Sequence, residues 1–197
     1  AQATGGAEDA DKVAADDSDG SGTETLVYAL EAMAHLLEYD EGRRRVHYLL
    51  EIGIVDTMVC VAQAHAGDAS LCDGVARVVS RLGVNRAARL EVASRGGLSL
   101  VVEHGSSSVS GSEAVGACAE SLLWWARDEE CAGALLDHGG VPCLVWQCGL
   151  EDNRDAQRFA SEALAWLARI DCARVRLLEG GALPLLVRMC STEQESV

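Results

Sequence analysis

The sequence has very little positive charge and few aromatic residues. Lys12 is the single lysine, and the formal net charge of the 197-residue chain is −15 at pH 7. Nucleic-acid backbones and anionic membrane surfaces attract clustered cations, so this charge argues against both as partners and favours a basic or neutral protein. Aromatic residues make up only 4% of the chain against 49% hydrophobic residues, which favours closely packed helices over a sandwich of sheets.

Long hydrophobic runs and closely paired cysteines are also missing. No stretch of about 18 uncharged apolar residues occurs, so the sequence predicts no direct membrane insertion. The eight cysteines include no CxxC pair, and no secretory leader precedes them, which favours reduced thiols. We therefore expect an intracellular reducing compartment, in the first place the cytoplasm, or an organelle interior if a leader was removed before Ala1.

Motifs that carry chemistry are absent as well. The glycine pairs are not followed by the Lys-Ser/Thr of a phosphate-binding loop, and no serine stands in a nucleophile-elbow pattern. The sequence thus predicts no enzyme, no catalytic residue, no cofactor and no metal site. A thiol-dependent or metal-binding protein is the alternative, with Cys131, Cys143 and His138 as the nearest approach to a ligand cluster.

Composition divides the chain into a body and two tails. Residues 1–22 are small, acidic and rich in Gly and Ser, which predicts a flexible tail. Residues 23–190 are a succession of short amphipathic helical patterns broken by Gly, Asp and Asn, without the alternation of a strand. Residues 191–197 form a second tail. The body is therefore predicted to be one all-α domain.

The body repeats itself every 42 or 43 residues. The segments EIGIVDTMV, SRGGLSLVV, DHGGVPCLV and EGGALPLLV superpose with Gly53, Gly96, Gly139 and Gly181 in register, at separations of 43, 43 and 42 residues. Each unit is predicted to contain three helices, as at residues 129–138, 141–149 and 153–168, with the glycine turning the chain between the first two. Three full units are preceded by a third helix at 23–38 and followed by a first and second helix at 171–190.

A stripe of apolar residues recurs in every third helix at i, i+3, i+4, i+7 spacing, which predicts a buried face. The four stripes are Ala29, Ala32, Met33 and Leu36; Val75, Val78, Val79 and Leu82; Cys118, Ser121, Leu122 and Trp125; and Ala160, Ala163, Leu164 and Leu167. Cys148 and Cys190 both follow a register glycine by nine residues, where a buried small hydrophobe is expected. Ser112 and the pair Asp152 and Asn153 are predicted to cap third helices.

The period, the segments GGVPCLV and GGALPLLV, and the following EALAWLA resemble the armadillo repeat family over residues 23–190. The resemblance implies a right-handed superhelical α-solenoid of about four armadillo-like repeats. In such an array the third helices stack side by side and line the concave groove. HEAT-type repeats are the nearest alternative and would give a similar solenoid.

On this resemblance, the exposed face of the third helices is the partner-binding groove. Pairs of residues four apart lie on one face, off the buried stripe. The pairs are Glu31 with His35, Arg77 with Arg81, Glu120 with Trp124, and Glu162 with Trp166. The two tryptophans are expected to bury aromatic or aliphatic anchors, and Glu120 or Glu162 to hold a basic residue. Two alternatives stay open: the indoles could pack against a neighbouring helix, and the arginines could form internal salt bridges.

Armadillo proteins that import cargo carry a tryptophan and, four residues later, an asparagine on this face. The sequence has no such asparagine ladder, which argues against an import receptor. The function predicted is a non-catalytic protein-protein interaction module or scaffold, a subunit or accessory factor of a larger assembly.

Two further expectations concern the ends of the chain. The second helix at the C-terminal end has no third helix to cover it, so another chain, or the tail at 191–197, is expected to cover that edge. The acidic tail at 1–22 is a candidate autoinhibitor that would fold onto Arg77 and Arg81.

Overall fold

A computed structural model describes residues 21–39 and 43–192. Within these ranges the chain forms twelve α-helices and no strand. The helices are α1 Ser21–Glu38, α2 Arg43–Glu51, α3 Ile54–Ala64, α4 Ala69–Val84, α5 Arg86–Ser94, α6 Gly97–Gly105, α7 Ser112–Ala126, α8 Glu129–Asp137, α9 Gly140–Cys148, α10 Arg154–Leu167, α11 Asp171–Glu179 and α12 Ala182–Thr192.

The helices stack in the predicted three-helix units α2–α4, α5–α7 and α8–α10. The long third helices α1, α4, α7 and α10 lie side by side, each in contact with the next. The first helices α2, α5 and α8 form a second row, and the second helices α3, α6, α9 and α12 form a third row. The predicted all-α solenoid is therefore confirmed.

A left-handed glycine connects the first helix to the second in each unit. Gly53, Gly96, Gly139 and Gly181 have φ angles of 77°, 84°, 79° and 77°. A residue with a Cβ is strained at such angles, whereas glycine adopts them freely. The recurring glycine found in the sequence is thus the residue that turns the chain by the same angle in every unit.

The predicted stripe is buried in the three complete units. All twelve stripe residues of α4, α7 and α10 are at most 1% exposed, with Val79, Leu122 and Leu164 at its centre. Trp125 is the largest of these side chains and is fully buried. Because each third helix lies between two rows of shorter helices, its stripe fills the space between them and forms the continuous core.

The stripe of α1 is not buried, which corrects the prediction for the first unit. Leu36 is 62% exposed, Ala29 and Ala32 are exposed, and Met33 is half-buried. The residue of α1 that is fully buried is Leu30, which reaches Gly74 of α4. Among the described residues, α1 packs along α4 and no first and second helix of its own unit lie beneath it.

Two local predictions were confirmed and two were wrong. Asn153 caps α10 by accepting a hydrogen bond from the N–H of Ala156 at 3.1 Å. Ser112, however, is the first residue inside α7, and the capping position falls on Gly111. Cys148 is buried as predicted, whereas Cys190 is exposed, with no third helix after α12 in the described part of the chain.

The predicted tails fall mostly outside the described residues. Helix α1 already begins at Ser21 and α12 continues to Thr192, while residues 1–20 and 193–197 are not described. The proposed contact of the acidic tail with Arg77 and Arg81 therefore also lies outside the described part. Among the described helices, no single one has the length and hydropathy of a membrane span. The segments Arg45–Glu51 and Ile54–Ala64, which are bent by 64° relative to each other, have that length and hydropathy only when taken together.

Candidate functional site

The eight predicted groove residues lie on four adjacent third helices. Glu31 and His35 belong to α1, and the remaining residues are Arg77 and Arg81 of α4, Glu120 and Trp124 of α7, and Glu162 and Trp166 of α10. None of them is fully buried: His35 is exposed and the other seven are half-buried. Their partial burial reflects contacts with one another along the row.

The two arginines of α4 bridge the third helices on either side. The guanidinium of Arg77 lies 3.5 Å from a carboxylate oxygen of Glu31 in α1 and 3.2 Å from one of Glu113 in α7. Its side chain is only 14% exposed. Of the alternatives left open for this residue, the internal salt bridge is the arrangement found.

Arg81 repeats this arrangement one turn further along α4. Its guanidinium lies 3.3 Å from Glu38 of α1 and 2.6 Å from Glu120 of α7. We call these two bridges, centred on Arg77 and Arg81, the arginine bridges. They give the N-terminal half of the row a surface of alternating charges that are already paired within the chain.

The C-terminal half of the row is a stack of indole and guanidinium planes. The guanidinium carbon of Arg127 lies 4.9 Å from the ring centre of Trp124 and 5.6 Å from that of Trp166. Arg169 lies over Trp166 at 4.7 Å. Such contacts contribute about 0.5–2 kcal/mol each, depending on how far they are removed from water. We call Trp124, Arg127, Trp166 and Arg169 the indole–guanidinium stack.

Arg127 and Arg169 were not among the predicted site residues. The sequence does contain a signal for them, since Trp124 and Trp166 are each followed three residues later by an arginine, in WWAR and WLAR. Each arginine follows the end of its third helix, within one helical turn of the indole, so it can fold back over that ring.

Glu162 is held by the arginine in the middle of the stack. Arg127 donates a hydrogen bond to one oxygen of Glu162, and this bond lowers the pKa of that carboxyl group. The Nε of Arg127 is buried without a hydrogen-bond partner among the described residues. Arg127 therefore contacts the indole of its own helix and, across the interface with α10, a second indole and a carboxylate.

A buried ion pair supports the stack from behind. The guanidinium of Arg89 lies 2.9 Å from Asp128, with side chains that are 5% and 6% exposed, and 5.9 Å from the ring of Trp124. Arg89 also donates hydrogen bonds to the carbonyl oxygens of Gly83 and Val84 at the end of α4. Burial lowers the pKa of Arg89, and the nearby Asp128 opposes that shift. Trp124 thus rests on a fixed support rather than on a mobile side chain.

The buried cysteines do not have the properties of reactive thiols. Burial raises the pKa of the Cys118 thiol to about 12 and that of Cys143 to about 11. The same cause raises the pKa of the other three buried thiols, those of Cys72, Cys131 and Cys148. Because the thiolate is the nucleophile and the metal ligand, these shifts favour the inert form.

The residues named for the alternative metal site do not form a ligand cluster. Among the described residues, no group of three His, Cys, Asp or Glu side chains is placed to hold a metal ion. Cys131 and Cys143 are buried, whereas His138 is exposed, with its Nδ1 2.8 Å from the carbonyl oxygen of Ala134.

No protein-family model matches the sequence, and no curated protein matches it either. Among solved structures, computationally designed armadillo repeat proteins for modular peptide recognition superpose with a TM-score of 0.75 at 19% identity, over 88% of this chain and 71% of that chain. A designed armadillo repeat protein in complex with the peptide (KR)4 superposes with a TM-score of 0.71 at 18% identity, over 84% and 67%. An engineered protein reaches 0.71 at 23% identity, over 88% and 68%.

These similarities define the class of the molecule. The chain has an armadillo-like repeat fold, as the repeat pattern predicted.

Proposed function

We propose that this protein is a non-catalytic interaction module that binds an extended segment of a partner protein along its third helices, as a subunit or accessory factor of a larger assembly. The observation that carries the proposal is the indole–guanidinium stack. Two half-buried tryptophans, Trp124 and Trp166, stand on adjacent helices at the same helical position, each beside an arginine. Large aromatic and Arg side chains at the centre of an interface supply most of its binding energy.

The charges beside the stack favour a segment with basic as well as apolar residues. Arg81 contacts Oε2 of Glu120, and Arg127 contacts Oε1 of Glu162. A carboxylate has room for several donors on its two oxygens, so a basic side chain of the partner can bind the second oxygen of each. The net charge of −15 attracts such a segment from a distance.

The similar structures support this proposal through their chemistry. One of the designed armadillo repeat proteins was solved with the basic peptide (KR)4. In this chain Glu120 and Glu162 of the row are already bridged to arginines of the same chain. A basic partner must therefore share or displace Arg81 and Arg127, which selects for segments that also bury apolar side chains against the indoles.

Selection from a random peptide-display library, with (KR)4 measured alongside, tests the proposal. Selected peptides are expected to combine aromatic or aliphatic residues with Lys or Arg. Replacing Trp124 and Trp166 together by alanine should weaken their binding by more than about 2 kcal/mol, roughly thirtyfold in Kd, at unchanged helicity. Trp146→Ala is the matched control because Trp146 is also half-buried but lies on α9, away from the stack.

Two results would contradict the proposal. One is a selection in which no peptide binds the native chain more tightly than (KR)4 binds the double tryptophan variant. The other is a set of peptides that bind equally well to the native chain and to that variant, since binding would then occur elsewhere on the surface.

A further inference from the structure

The centre of the indole–guanidinium stack has the parts of a receptor for a guanidinium group. The guanidinium carbon of Arg127 lies over the rings of Trp124 and Trp166, at 4.9 and 5.6 Å from their centres. Arg127 also donates a hydrogen bond to a carboxylate oxygen of Glu162. Indole faces and carboxylates are side-chain groups that bind a guanidinium favourably. We call Trp124, Trp166 and Glu162 the guanidinium site, which in this chain is occupied by Arg127.

The guanidinium site occurs once among the described third helices. It lies between α7 and α10, which pack directly against each other inside the array. At the position of Trp124, α4 carries Arg81 and α1 carries His35. A single tryptophan is therefore present at this position between α4 and α7, where the guanidinium of Arg81 pairs with Glu120. The site is thus a feature of one interface and not of the repeat.

Arg127 does not fill this site without a cost. Its Nε is buried and has no hydrogen-bond partner among the described residues. Arg89, by contrast, uses all three of its guanidinium nitrogens, with two carbonyl oxygens and Asp128 as acceptors. A buried donor without an acceptor costs free energy that a hydrated donor does not. The burial of its own Nε therefore opposes the binding of Arg127, whereas an arginine that enters from solvent can keep its Nε hydrated.

A second position is open to the side chain of Arg127. This residue follows the end of α7, its side chain is 32% exposed, and it lines a cavity of about 630 Å³ together with the exposed Glu129 and Glu130. The ion pairs of the arginines that line this cavity use Asp128 and Glu162, which leaves both of these glutamates without a cation. Rotation about side-chain bonds alone can bring the guanidinium to them, without a change in the backbone.

We propose that Arg127 is an internal competitor for the guanidinium site, and that an arginine of the partner segment replaces it while Arg127 turns to Glu129 and Glu130. This inference rests on the proposed function, because it concerns how the same row of third helices selects its segment. The site prefers arginine to lysine, since a guanidinium is planar and weakly hydrated whereas an ammonium is compact and strongly hydrated. Arg127 thereby excludes segments whose cations bind the site less well than it does.

Fluorescence anisotropy with arginine and lysine homopeptides of equal length tests the competition. Arg127→Ala, a change at a half-buried position outside the helices, should keep the native helicity by circular dichroism. The arginine peptide is expected to bind this variant about tenfold more tightly than the native chain, as for a site that is open in about a tenth of the native molecules. The lysine peptide should gain less than about twofold, because an ammonium lacks the planar fork that fits two rings and a carboxylate.

The matched control is Arg95→Ala. The side chain of Arg95 is 34% exposed and forms two ion pairs, but it follows the end of α5, away from the row of third helices. Its removal should change the binding of both peptides equally and by less than about twofold, through net charge alone. Three results overturn the inference: no tighter binding of the arginine peptide to Arg127→Ala, a gain no larger than that of Arg95→Ala, and an equal gain for the lysine peptide.

Failure of the proposed function gives a different result. The arginine peptide would then bind equally well to the native chain and to the variant in which Trp124 and Trp166 are both alanine, which overturns the function and the inference together. If the inference alone fails, binding still depends on both tryptophans, but Arg127→Ala does not strengthen it.

Ethylguanidinium tests the guanidinium site without a peptide. It carries the planar head of the side chain that Arg127→Ala removes, so it should change the tryptophan fluorescence of this variant saturably, with little saturable change in the native chain. Ethylammonium should give no saturable change. Adding Glu162→Gln to Arg127→Ala should weaken the binding of ethylguanidinium by more than about fivefold, because the carboxylate is lost. The absence of a saturable response of Arg127→Ala to ethylguanidinium overturns the inference.

Discussion

Replacing Arg89 by alanine is expected to destabilise the protein by about 4 kcal/mol, whereas the same change at Arg174 should cost less than about 1 kcal/mol. The two arginines occupy the same position, seven residues before Gly96 and Gly181. Each uses its Nε to donate a hydrogen bond to the last turn of the preceding third helix, at 2.9 Å for Arg89 and 3.0 Å for Arg174. The pair therefore compares one contact in two environments.

The difference in magnitude follows from burial. Removing Arg89 leaves Asp128, whose side chain is 6% exposed, with the exposed Arg86 at 3.2 Å and the N–H of Glu130 as its partners. Removing one partner of a buried ion pair costs about 3–5 kcal/mol. The carbonyl groups of Gly83 and Val84 also lose their donor, at about 1 kcal/mol or more each where water cannot replace it. The exposed pair of Arg174 with Asp171, by contrast, is worth little.

Urea unfolding followed by circular dichroism measures both variants. A loss of about 4 kcal/mol corresponds to a decrease in Tm of roughly 8–16 °C for a chain of this size. The m-value should be unchanged, because both variants are expected to expose the same surface on unfolding as the native chain. A loss for Arg89→Ala no greater than that for Arg174→Ala would refute the view that the buried ion pair holds α4, α5 and the start of α8 together.

Three other predictions concern packing, thiols and pH. Gly83→Ala should destabilise the protein by about 1–3 kcal/mol, because the new Cβ would lie 2.6 Å from the Ser121 hydroxyl. Gly133→Ala, which has open space around the new Cβ, should stabilise it by about 0.5–1 kcal/mol. The midpoints of urea unfolding measure both changes. Thiol titration of the native protein should show three fast cysteines, and the rest only after unfolding; the fast ones are Cys60, Cys172 and Cys190. Because its folded-state pKa is lowered, Glu162 contributes stability that is present near neutral pH and is lost as the pH falls through that pKa. The small difference in unfolding free energy between the native chain and Glu162→Gln should therefore vanish in acid.

Much of the fold was predictable because one pattern recurs at a fixed period. Gly53 and its three equivalents mark the same turn, and the conformation that only glycine adopts easily is found at all four. The exposed stripe of α1 could not be found in this way. Its residues have the same apolar character as the buried stripes, so their exposure depends on which neighbouring helices are present and not on the helix itself.

The helices that carry the candidate residues were predictable, but the contacts between those residues were not. The four-residue spacing placed Trp124 and Trp166 on the row of third helices, where the structure has them. Which arginine lies over which indole depends on the distance between adjacent helices, and no single-helix pattern contains that distance. The partner and the compartment stay predictions.

The arginine bridges have a mechanical consequence. Each one joins α4 to both neighbouring third helices by ion pairs, in addition to the packing between those helices. A bound segment whose cations pair with Glu120 would break the ion pair that joins α4 to α7 there. The apolar contacts between the two helices would remain. On the proposed function, the number of these ion pairs that a bound segment replaces would set how tightly adjacent third helices are held together.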